Sequence, residues 1–505
     1  MILIIDMGSQ YTHLITRRIR QLKVYSEIIP WTAPLAEIQA KNPEGIILSG
    51  GPRSVFEKNA PTASREIFEM GVPVLGVCYG HQLIAHLYGG RVISSSKEYG
   101  KETLAARPLH LLKGLGKKEQ VWMSHGTSVV ELPKEFEVTG STPDCRIAAY
   151  AEPKRRIYGL QFHPEVQHTL NGAKILSNFL DICKCRRTYT VKGMSARLVE
   201  DARAAVHKKG VIMAVSGGVD SLVAARILQQ ATDNLHLVFV DNGLMRKDEP
   251  EQVKTTFVKL GFRNFHAVDA SELFLKRLKG ITEPEEKRRI IGKAFINVFE
   301  GKVKEIGSGI EFLGQGTIYP DRIESAQPSK TAAVIKTHHN VGGLPKKMKL
   351  KLVEPLKDLY KDEVRELGLE LGLENELLYR HPFPGPGLAV RIIGEVTKEK
   401  LELLKDADHI FIDELKKSKH YDKTWQAFAA LLPAKAVGVM GDERTYGHII
   451  VLRAVSSMDA MTADWARLPD WLLEKAASRI VRNVKGINRV LYDITQKPPA
   501  TIEYE

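Results

Sequence analysis

A cysteine and a histidine about 85 positions apart carry the first chemistry that the sequence suggests. The pattern Gly-x-Cys78-x-Gly follows an apolar run and precedes an amphipathic one, which is the arrangement of a nucleophile on a sharp strand-to-helix turn. On such a turn the sulfur lies beside a helix N-terminus, whose dipole favours the thiolate. The alternative is a buried and inert cysteine, which is what most lone cysteines are.

The histidine is His163, which follows the apolar stretch RIYGLQF and precedes Pro164. The proline favours an extended conformation at His163 and so predicts that it ends a strand. Glu165, two residues further on, could orient the imidazole. Cysteine, histidine and carboxylate would then form a triad in which the base removes the thiol proton and later protonates a leaving amine. An ordinary surface histidine is the alternative.

The segments ILSGGP, GVCYGHQL and FHPEV, in this order, resemble the class I glutamine amidotransferase family. The resemblance implies that Cys78 attacks the carboxamide of glutamine and that His163 and Glu165 complete the triad. The product of that reaction is ammonia, which a second site of the same chain could use.

The same resemblance implies further roles around the cysteine. The backbone N–H groups of Tyr79 and Gly51 would form the oxyanion hole, and Gln82 would contact the substrate glutamine. One position departs from the family: residues 124–127 read Ser-His-Gly-Thr, whereas the closest subfamily usually reads Ser-His-Gly-Asp. A carboxylate role at Thr127 is therefore not expected.

A second constellation is the loop Ser216-Gly217-Gly218-Val219-Asp220-Ser221, between a predicted strand and a predicted helix, with Leu222 next to it also expected to bind ATP. Paired glycines expose backbone N–H groups, and a helix N-terminus adds positive charge, so the loop could bind a phosphate. It lacks the lysine of a Walker loop. The loop resembles that of the ATP pyrophosphatase family, which implies ATP binding and a magnesium ion assisted by Asp220. An ordinary glycine-rich turn is the alternative.

Other residues are expected near ATP. Asp241 ends the next predicted strand, where open α/β sheets place their ligands. The family resemblance implies that Asp321 and Glu324 lie near ATP and magnesium and that Lys336 binds ATP. The basic run KKMKLK (346–351) predicts either a lid that brings positive charge to phosphates or a solvated basic hairpin.

The last part of the chain resembles the C-terminal domain of the GMP synthetase (glutamine-hydrolysing) family through HPFPGPGLAVR, VGVMGDERTYGH, MTADWARLP, KGINRVLYD and KPPATIEYE. The resemblance implies that the acceptor is xanthosine 5′-monophosphate (XMP), adenylated at its C2 oxygen before ammonia attacks, and that the chain forms a homodimer. At any single one of these positions a solvated surface residue is the alternative. The implied XMP-binding residues are Arg289, Gln426, Arg489, Lys497, Ile502 and Glu503.

The elements that must position these residues alternate between short apolar strands and amphipathic helices, which predicts an α/β fold with parallel sheets. We expect an amidotransferase domain at 1–187, an ATP pyrophosphatase domain at 188–385 and a smaller α+β domain for dimerisation and XMP binding at 386–505. A chain of 505 residues is long enough for about three domains.

Composition limits the other possibilities. Four cysteines in irregular positions predict a reducing compartment, the cytoplasm, and no apolar run reaches the ~18 residues of a membrane helix, so no membrane partner is expected. The net charge of +13 could indicate nucleic acid. With 7% aromatic residues and no RNA-binding signature, we expect no nucleic-acid partner and assign part of the charge to ATP, pyrophosphate and a purine monophosphate.

Three rival functions remain in view. NAD synthetase and argininosuccinate synthetase share the pyrophosphatase loop but lack the N-terminal glutaminase segment and this C-terminal tail. An RNA-modifying relative would use the basic surface. A catalytically silent scaffold is disfavoured because two complete active-site patterns are present.

Overall fold

The computed structural model describes residues 1–307, 309–326, 350–440, 442–457 and 462–505. The chain divides into two compact units, Met1–Thr190 and Val191–Glu505. Within the described residues, none of the helices combines the length and the apolar character that crossing a lipid bilayer requires.

The first unit contains a nine-stranded sheet and four α-helices. Its strands are β1 (Ile2–Asp6), β2 (Ser26–Pro30), β3 (Gly45–Leu48), β4 (Val74–Val77), β5 (Arg91–Ala106), β6 (Lys118–Glu131), β7 (Glu137–Ser141), β8 (Ala149–Glu152) and β9 (Ile157–Leu160). Its helices are α1 (Thr12–Gln21), α2 (Leu35–Ala40), α3 (Tyr79–Leu87) and α4 (Gly172–Ile182).

The strand order in this sheet is β2-β1-β3-β4-β9-β8-β7-β5-β6. Five adjacent strands of this sheet, β2, β1, β3, β4 and β9, pair in parallel, as the alternation of strands and helices predicts. The remaining strands extend the sheet by antiparallel pairing, which the sequence analysis did not specify.

The apolar opening strand shows why this sheet forms. Successive side chains of a strand point to opposite faces. Ile2 and Ile4 pack into one buried cluster, and Leu3 and Ile5 pack into the cluster on the other face. A strand buried on both faces needs a continuous apolar run, and MILIID provides one.

The second unit begins with a five-stranded parallel sheet. Its strands are β10 (Gly210–Val215), β11 (Leu235–Asp241), β12 (Asn264–Asp269), β13 (Ile310–Gly314) and β14 (Lys351–Val353), in the sheet order β12-β11-β10-β13-β14. The helices are α5 (Met194–Val206), α6 (Val219–Ala231), α7 (Glu249–Lys259), α8 (Ser271–Leu278), α9 (Pro284–Ile306), α10 (Tyr319–Ala326), α11 (Lys361–Glu370) and α12 (Asn375–Leu378). The strand and helix predicted on either side of the glycine loop, and the next strand ending at Asp241, are confirmed as β10, α6 and β11.

The C-terminal part is α+β, as predicted. β15 and β16 form a long antiparallel hairpin, and β18 pairs in parallel with β16. Its elements are α13 (Lys398–Lys417), β15 (Gln426–Met440), β16 (Glu443–Ser456), β17 (Asp464–Trp465), α14 (Asp470–Asn483) and β18 (Ile487–Tyr492).

One hydrophobic core joins this part to the five-stranded sheet. Val240 of β11 and Phe274 of α8 belong to the same buried cluster as Phe411 of α13 and Leu452 of β16. Because this core contains residues from both sides of position 385, the predicted boundary between a pyrophosphatase domain and a C-terminal domain stays a prediction.

Candidate functional sites

The predicted nucleophile lies on a strained turn. Cys78 follows β4 directly, precedes α3 and has a φ of +53°, a conformation that non-glycine residues rarely adopt. A Cβ atom on Gly76 would lie 2.4 Å from the carbonyl oxygen of Gly80, and one on Gly80 would lie 2.3 Å from that of Leu48. Only glycine fits at both positions, which explains the Gly-x-Cys-x-Gly pattern.

Close to the cysteine, His163 and Glu165 form a buried pair, with 2.7 Å between Nδ1 and Oε1. Burial alone lowers the pKa of His163, but the Glu165 carboxylate and the Cys78 sulfur, both hydrogen-bonded to the ring, raise it to about 10. At neutral pH the imidazole therefore carries a proton that it can give to a leaving amine. The structure brings the three predicted triad residues together.

The predicted oxyanion residues are also neighbours. A Cβ on Gly51 would lie 2.6 Å from the carbonyl oxygen of Met7 and 3.4 Å from Cγ of Tyr79. A Cβ on Gly50 would lie 3.3 Å from Cε1 of His163. The glycine loop after β3 thus packs against the start of α3 and the histidine. The role of the two N–H groups as an oxyanion hole stays a prediction.

Gln82 is buried in α3, and its side-chain amide makes three hydrogen bonds. Nε2 donates to the Thr127 carbonyl oxygen at 2.8 Å and to Gln161 Oε1 at 3.0 Å. Oε1 accepts from the Thr127 hydroxyl at 2.7 Å. The threonine that departs from the family pattern is therefore a direct partner of Gln82. Sequence reasoning missed Gln161, although an amide within the apolar stretch RIYGLQF was a usable signal.

The second predicted loop lies at the carboxyl edge of the five-stranded sheet. Gly217 has a φ of +76°, and a Cβ there would lie 2.5 Å from Cγ2 of Val253 in α7. Gly316, after β13, packs so closely that its Cβ would lie 2.9 Å from the backbone of Asp220. Ser221 Oγ donates to the Gly218 carbonyl oxygen at 2.9 Å, whereas Ser216 and Gly218 are exposed.

The flanks of this loop hold it in place. Val219 and Leu222, in the first turn of α6, are buried in the hydrophobic core. Asp241 ends β11, the neighbouring parallel strand, and its Oδ1 accepts from the N–H of Gly243 at 2.9 Å. Parallel strands place their carboxyl ends on one edge, so Asp241 and the loop lie on the same edge of the sheet.

The two carboxylate oxygens of Asp220 have different surroundings. Oδ2 pairs with Lys361 Nζ at 2.5 Å. Oδ1 is buried and has no hydrogen-bond partner among the residues that the structure describes. Lys361 begins α11, 141 positions away, and no local motif pointed to it.

The other predicted ligands of ATP and magnesium are less defined. Asp321 lies at the start of α10, where Oδ2 accepts from the N–H of Ile318 at 3.2 Å. The side chain of Glu324 lies outside the described residues, as do Lys336 and residues 346–349 of the basic run.

Three of the predicted nucleotide-binding residues lie close together. Gln426 Nε2 donates to Glu503 Oε1 at 2.5 Å, and Ile502 is buried beside β15. The Glu503 carboxylate is held by two parallel hydrogen bonds from Arg391, at 2.8 and 2.9 Å. Arg391 is fully buried and was not predicted from the sequence.

The remaining three predicted residues also belong to the second unit. Arg289 is largely exposed and pairs with Glu286 of its own helix at 3.2 Å. Arg489 is exposed on β18. The backbone of Lys497 pairs with that of Ala463. The nucleotide contacts of these residues stay predictions.

Buried cations anchor the C-terminal tail. Arg453 donates to the carbonyl oxygens of Thr501 and Ile502, at 2.8 Å each. Lys287 of α9 is fully buried and forms an ion pair with Glu505. These contacts fix the position of Glu503 beside Gln426.

Comparison with known proteins agrees with both parts of the geometry. The glutamine amidotransferase class-I family model matches residues 3–183, and the GMP synthase C terminal domain model matches residues 413–504. Proteins named GMP synthase (glutamine-hydrolyzing) from Carboxydothermus hydrogenoformans and Aquifex aeolicus are 54% and 53% identical to this chain. Each alignment covers 100% of this chain and 99% of the relative. Similarity of this extent along the whole chain shows that it is an enzyme of the glutamine-hydrolysing GMP synthase family.

Proposed function

We propose that this chain makes GMP from XMP, ATP and glutamine in two half-reactions at two separate sets of residues. The observation that carries the proposal is that one chain contains both a buried Cys78-His163-Glu165 triad and a glycine loop at the carboxyl edge of a parallel sheet. The first set of residues releases ammonia, and the second activates the oxygen that ammonia displaces.

In the glutaminase half-reaction the Cys78 thiolate attacks the carboxamide carbon of glutamine. The N–H groups of Tyr79 and Gly51 stabilise the negative charge on the tetrahedral oxygen. His163 gives its proton to the leaving nitrogen, so ammonia departs and a glutamyl thioester remains. His163, held by Glu165, then takes a proton from the water that hydrolyses the thioester.

In the synthetase half-reaction the C2 oxygen of XMP attacks the α-phosphorus of ATP, and pyrophosphate leaves. An amide-like carbonyl is a poor electrophile until its oxygen becomes a good leaving group. Ammonia then adds to C2, and AMP departs with the oxygen. The backbone N–H groups of Ser216–Leu222 and the dipole of α6 stabilise the charge on the departing pyrophosphate.

Magnesium fits this site through Asp220, because its buried Oδ1 lacks a hydrogen-bond partner among the described residues. A carboxylate oxygen is a preferred ligand of this ion. Asp321 and Glu324 are the other proposed ligands. When bound, the ion neutralises charge on the phosphates, and Lys361, paired with Asp220, adds positive charge at the same loop.

For XMP, we propose that the polar pair of Gln426 and Glu503 hydrogen-bonds the purine base while Ile502 packs against it. Both polar groups present hydrogen-bonding atoms close to a buried apolar side chain. We also propose that three basic side chains bind the phosphate of XMP, since arginine and lysine suit a phosphomonoester. These residues are Arg289, Arg489 and Lys497.

The proposal includes a homodimer and a cytoplasmic location. The outer half of the β15–β16 hairpin carries three exposed apolar side chains, Val437, Val439 and Tyr446, at 52%, 73% and 66% exposure. A monomer rarely exposes such a strip of apolar side chains, so a second copy of this chain is its proposed partner. The four cysteines are all free thiols, which agrees with a reducing compartment.

The acceptor is tested by supplying ammonia instead of glutamine, together with ATP, magnesium and either XMP or inosine monophosphate. We expect GMP and AMP to form in equal amounts from XMP, and no AMP to form with inosine monophosphate, which lacks the C2 oxygen. Chromatography of the nucleotides measures both. Failure to consume XMP would contradict the proposed function.

A further inference from the structure

We propose that Gln161 is a further catalytic residue of the glutaminase site, whose side-chain amide donates a hydrogen bond to the Cys78 sulfur and stabilises its thiolate. Gln82 and Thr127 are the positioning residues that orient this amide. The inference rests on the proposed glutaminase half-reaction and adds to it a donor outside the triad.

Gln161 is fully buried and directly follows β9. Its Nε2 lies 3.7 Å from the Cys78 sulfur, a distance suited to an N–H donor and the large sulfur atom. Backbone hydrogen bonds hold both residues in place. The N–H of Gln161 donates to the Ala148 carbonyl oxygen at 2.8 Å, and the N–H of Cys78 donates to the Leu160 carbonyl oxygen at 2.7 Å.

The orientation of the Gln161 amide follows from its partners. The Thr127 carbonyl oxygen can only accept, so the group of Gln82 that lies 2.8 Å from it is the amide nitrogen. Gln82 Oε1 then faces the Thr127 hydroxyl at 2.7 Å. The second N–H of Gln82 donates to Gln161 Oε1 at 3.0 Å, which leaves the Gln161 nitrogen facing the sulfur.

The start of this chain of hydrogen bonds is itself fixed by buried groups. His125 Nδ1 lies 3.0 Å from the Thr127 carbonyl oxygen, and His125 Nε2 lies 2.8 Å from Glu98 Oε2. The other Glu98 oxygen accepts from the Thr142 hydroxyl at 2.8 Å. The side chains of Glu98, His125 and Thr142 are buried, which strengthens the bonds between them and helps to maintain the amide orientation.

The donor matters because of what else surrounds the sulfur. The Ser124 carbonyl oxygen lies 3.6 Å from it and can only accept, so it cannot stabilise a thiolate. A hydrogen bond donated to the charged form of an acid favours that form. The Gln161 amide therefore adds to the effect of His163 on the thiolate fraction.

The test compares Gln161→Leu, Gln161→Glu and the control Gln120→Leu in the full chain. Gln120 is a matched glutamine of the same unit, and its Nε2 donates to the His168 carbonyl oxygen at 2.9 Å. Three experiments are made on each variant. They give the pH dependence of iodoacetamide alkylation at Cys78, the kcat and KM for glutamine, and the rate of ammonia-dependent GMP synthesis, which reports folding of the synthetase site.

For Gln161→Leu we expect the midpoint of the alkylation profile to move up by about one pH unit and kcat for glutamine to fall about 10-fold, with a smaller change in KM. Gln161→Glu places an acceptor beside the sulfur and should move the midpoint further in the same direction. The control should keep the wild-type midpoint, and all three variants should keep ammonia-dependent synthesis.

An unchanged midpoint in Gln161→Leu would overturn the inference. If that variant does not fold, the nearly isosteric Gln161→Glu decides: an upward shift supports the inference, and a wild-type midpoint overturns it. The alkylation profile does not depend on turnover. A wild-type chain that fails to hydrolyse glutamine would instead contradict the proposed function.

Discussion

The Cys78→Ala variant is expected to lose glutamine-dependent GMP synthesis by about 10,000-fold or more and to keep ammonia-dependent synthesis within about twofold of the wild type. The reason is that in the proposed mechanism the sulfur forms the bond to glutamine, whereas the loop at Ser216–Leu222 belongs to the other compact unit. Initial rates of GMP formation with each nitrogen source measure both effects.

Cys185→Ala is the matched control for this variant, since Cys185 is a partly exposed thiol of the same unit. It should behave as the wild type with both nitrogen sources. Loss of both activities together in Cys78→Ala would argue against two separable sites.

The Asp220→Asn variant is expected to lower AMP formation by about 100- to 1,000-fold with either glutamine or ammonia. Asparagine keeps the shape of the side chain but removes the charge that we propose for magnesium. It also removes the partner of Lys361. Rates of AMP and pyrophosphate release at several magnesium concentrations measure the effect, and the remaining activity should need more magnesium.

Asp233→Asn controls for the loss of one negative charge, because Asp233 is exposed in the turn after α6. It should keep wild-type rates. Full activity in Asp220→Asn would remove Asp220 from the mechanism and leave its buried Oδ1 without an assigned function.

Local patterns predicted much of the fold and the triad. The continuous apolar run of Met1–Ile5 predicts a strand buried on both faces, and that is how β1 packs. Glycine is required on both sides of Cys78 because a Cβ atom at either position would lie 2.3 to 2.4 Å from a backbone oxygen, so the motif itself predicts the turn. His163 and Glu165 are two residues apart, and their pairing needs little tertiary information.

Residues that depend on distant partners could not be predicted in this way. Arg391 and Glu503 are 112 positions apart, and Lys361 and Asp220 are 141 apart. Nothing in a local pattern selects one such pair from the many lysines, arginines and carboxylates of the chain. Their pairing is determined by how the whole second unit packs.

The antiparallel strands of the first sheet could not be predicted from local patterns for a related reason. β5 and β6 are long, and the burial of β6 alternates only in part along the strand. Register shifts interrupt their pairing, which weakens the period-two pattern. Such strands are identified by their partners rather than by their own sequence.

The proposed function requires that the nitrogen released at Cys78 is the nitrogen installed on XMP. To test this, glutamine labelled with ¹⁵N in its amide is supplied, and the mass of the GMP formed is measured. We expect essentially all GMP to carry one ¹⁵N, and glutamate, AMP and GMP to accumulate in equal amounts. If the GMP formed from labelled glutamine carried no ¹⁵N, the transfer of nitrogen from Cys78 to XMP would be contradicted.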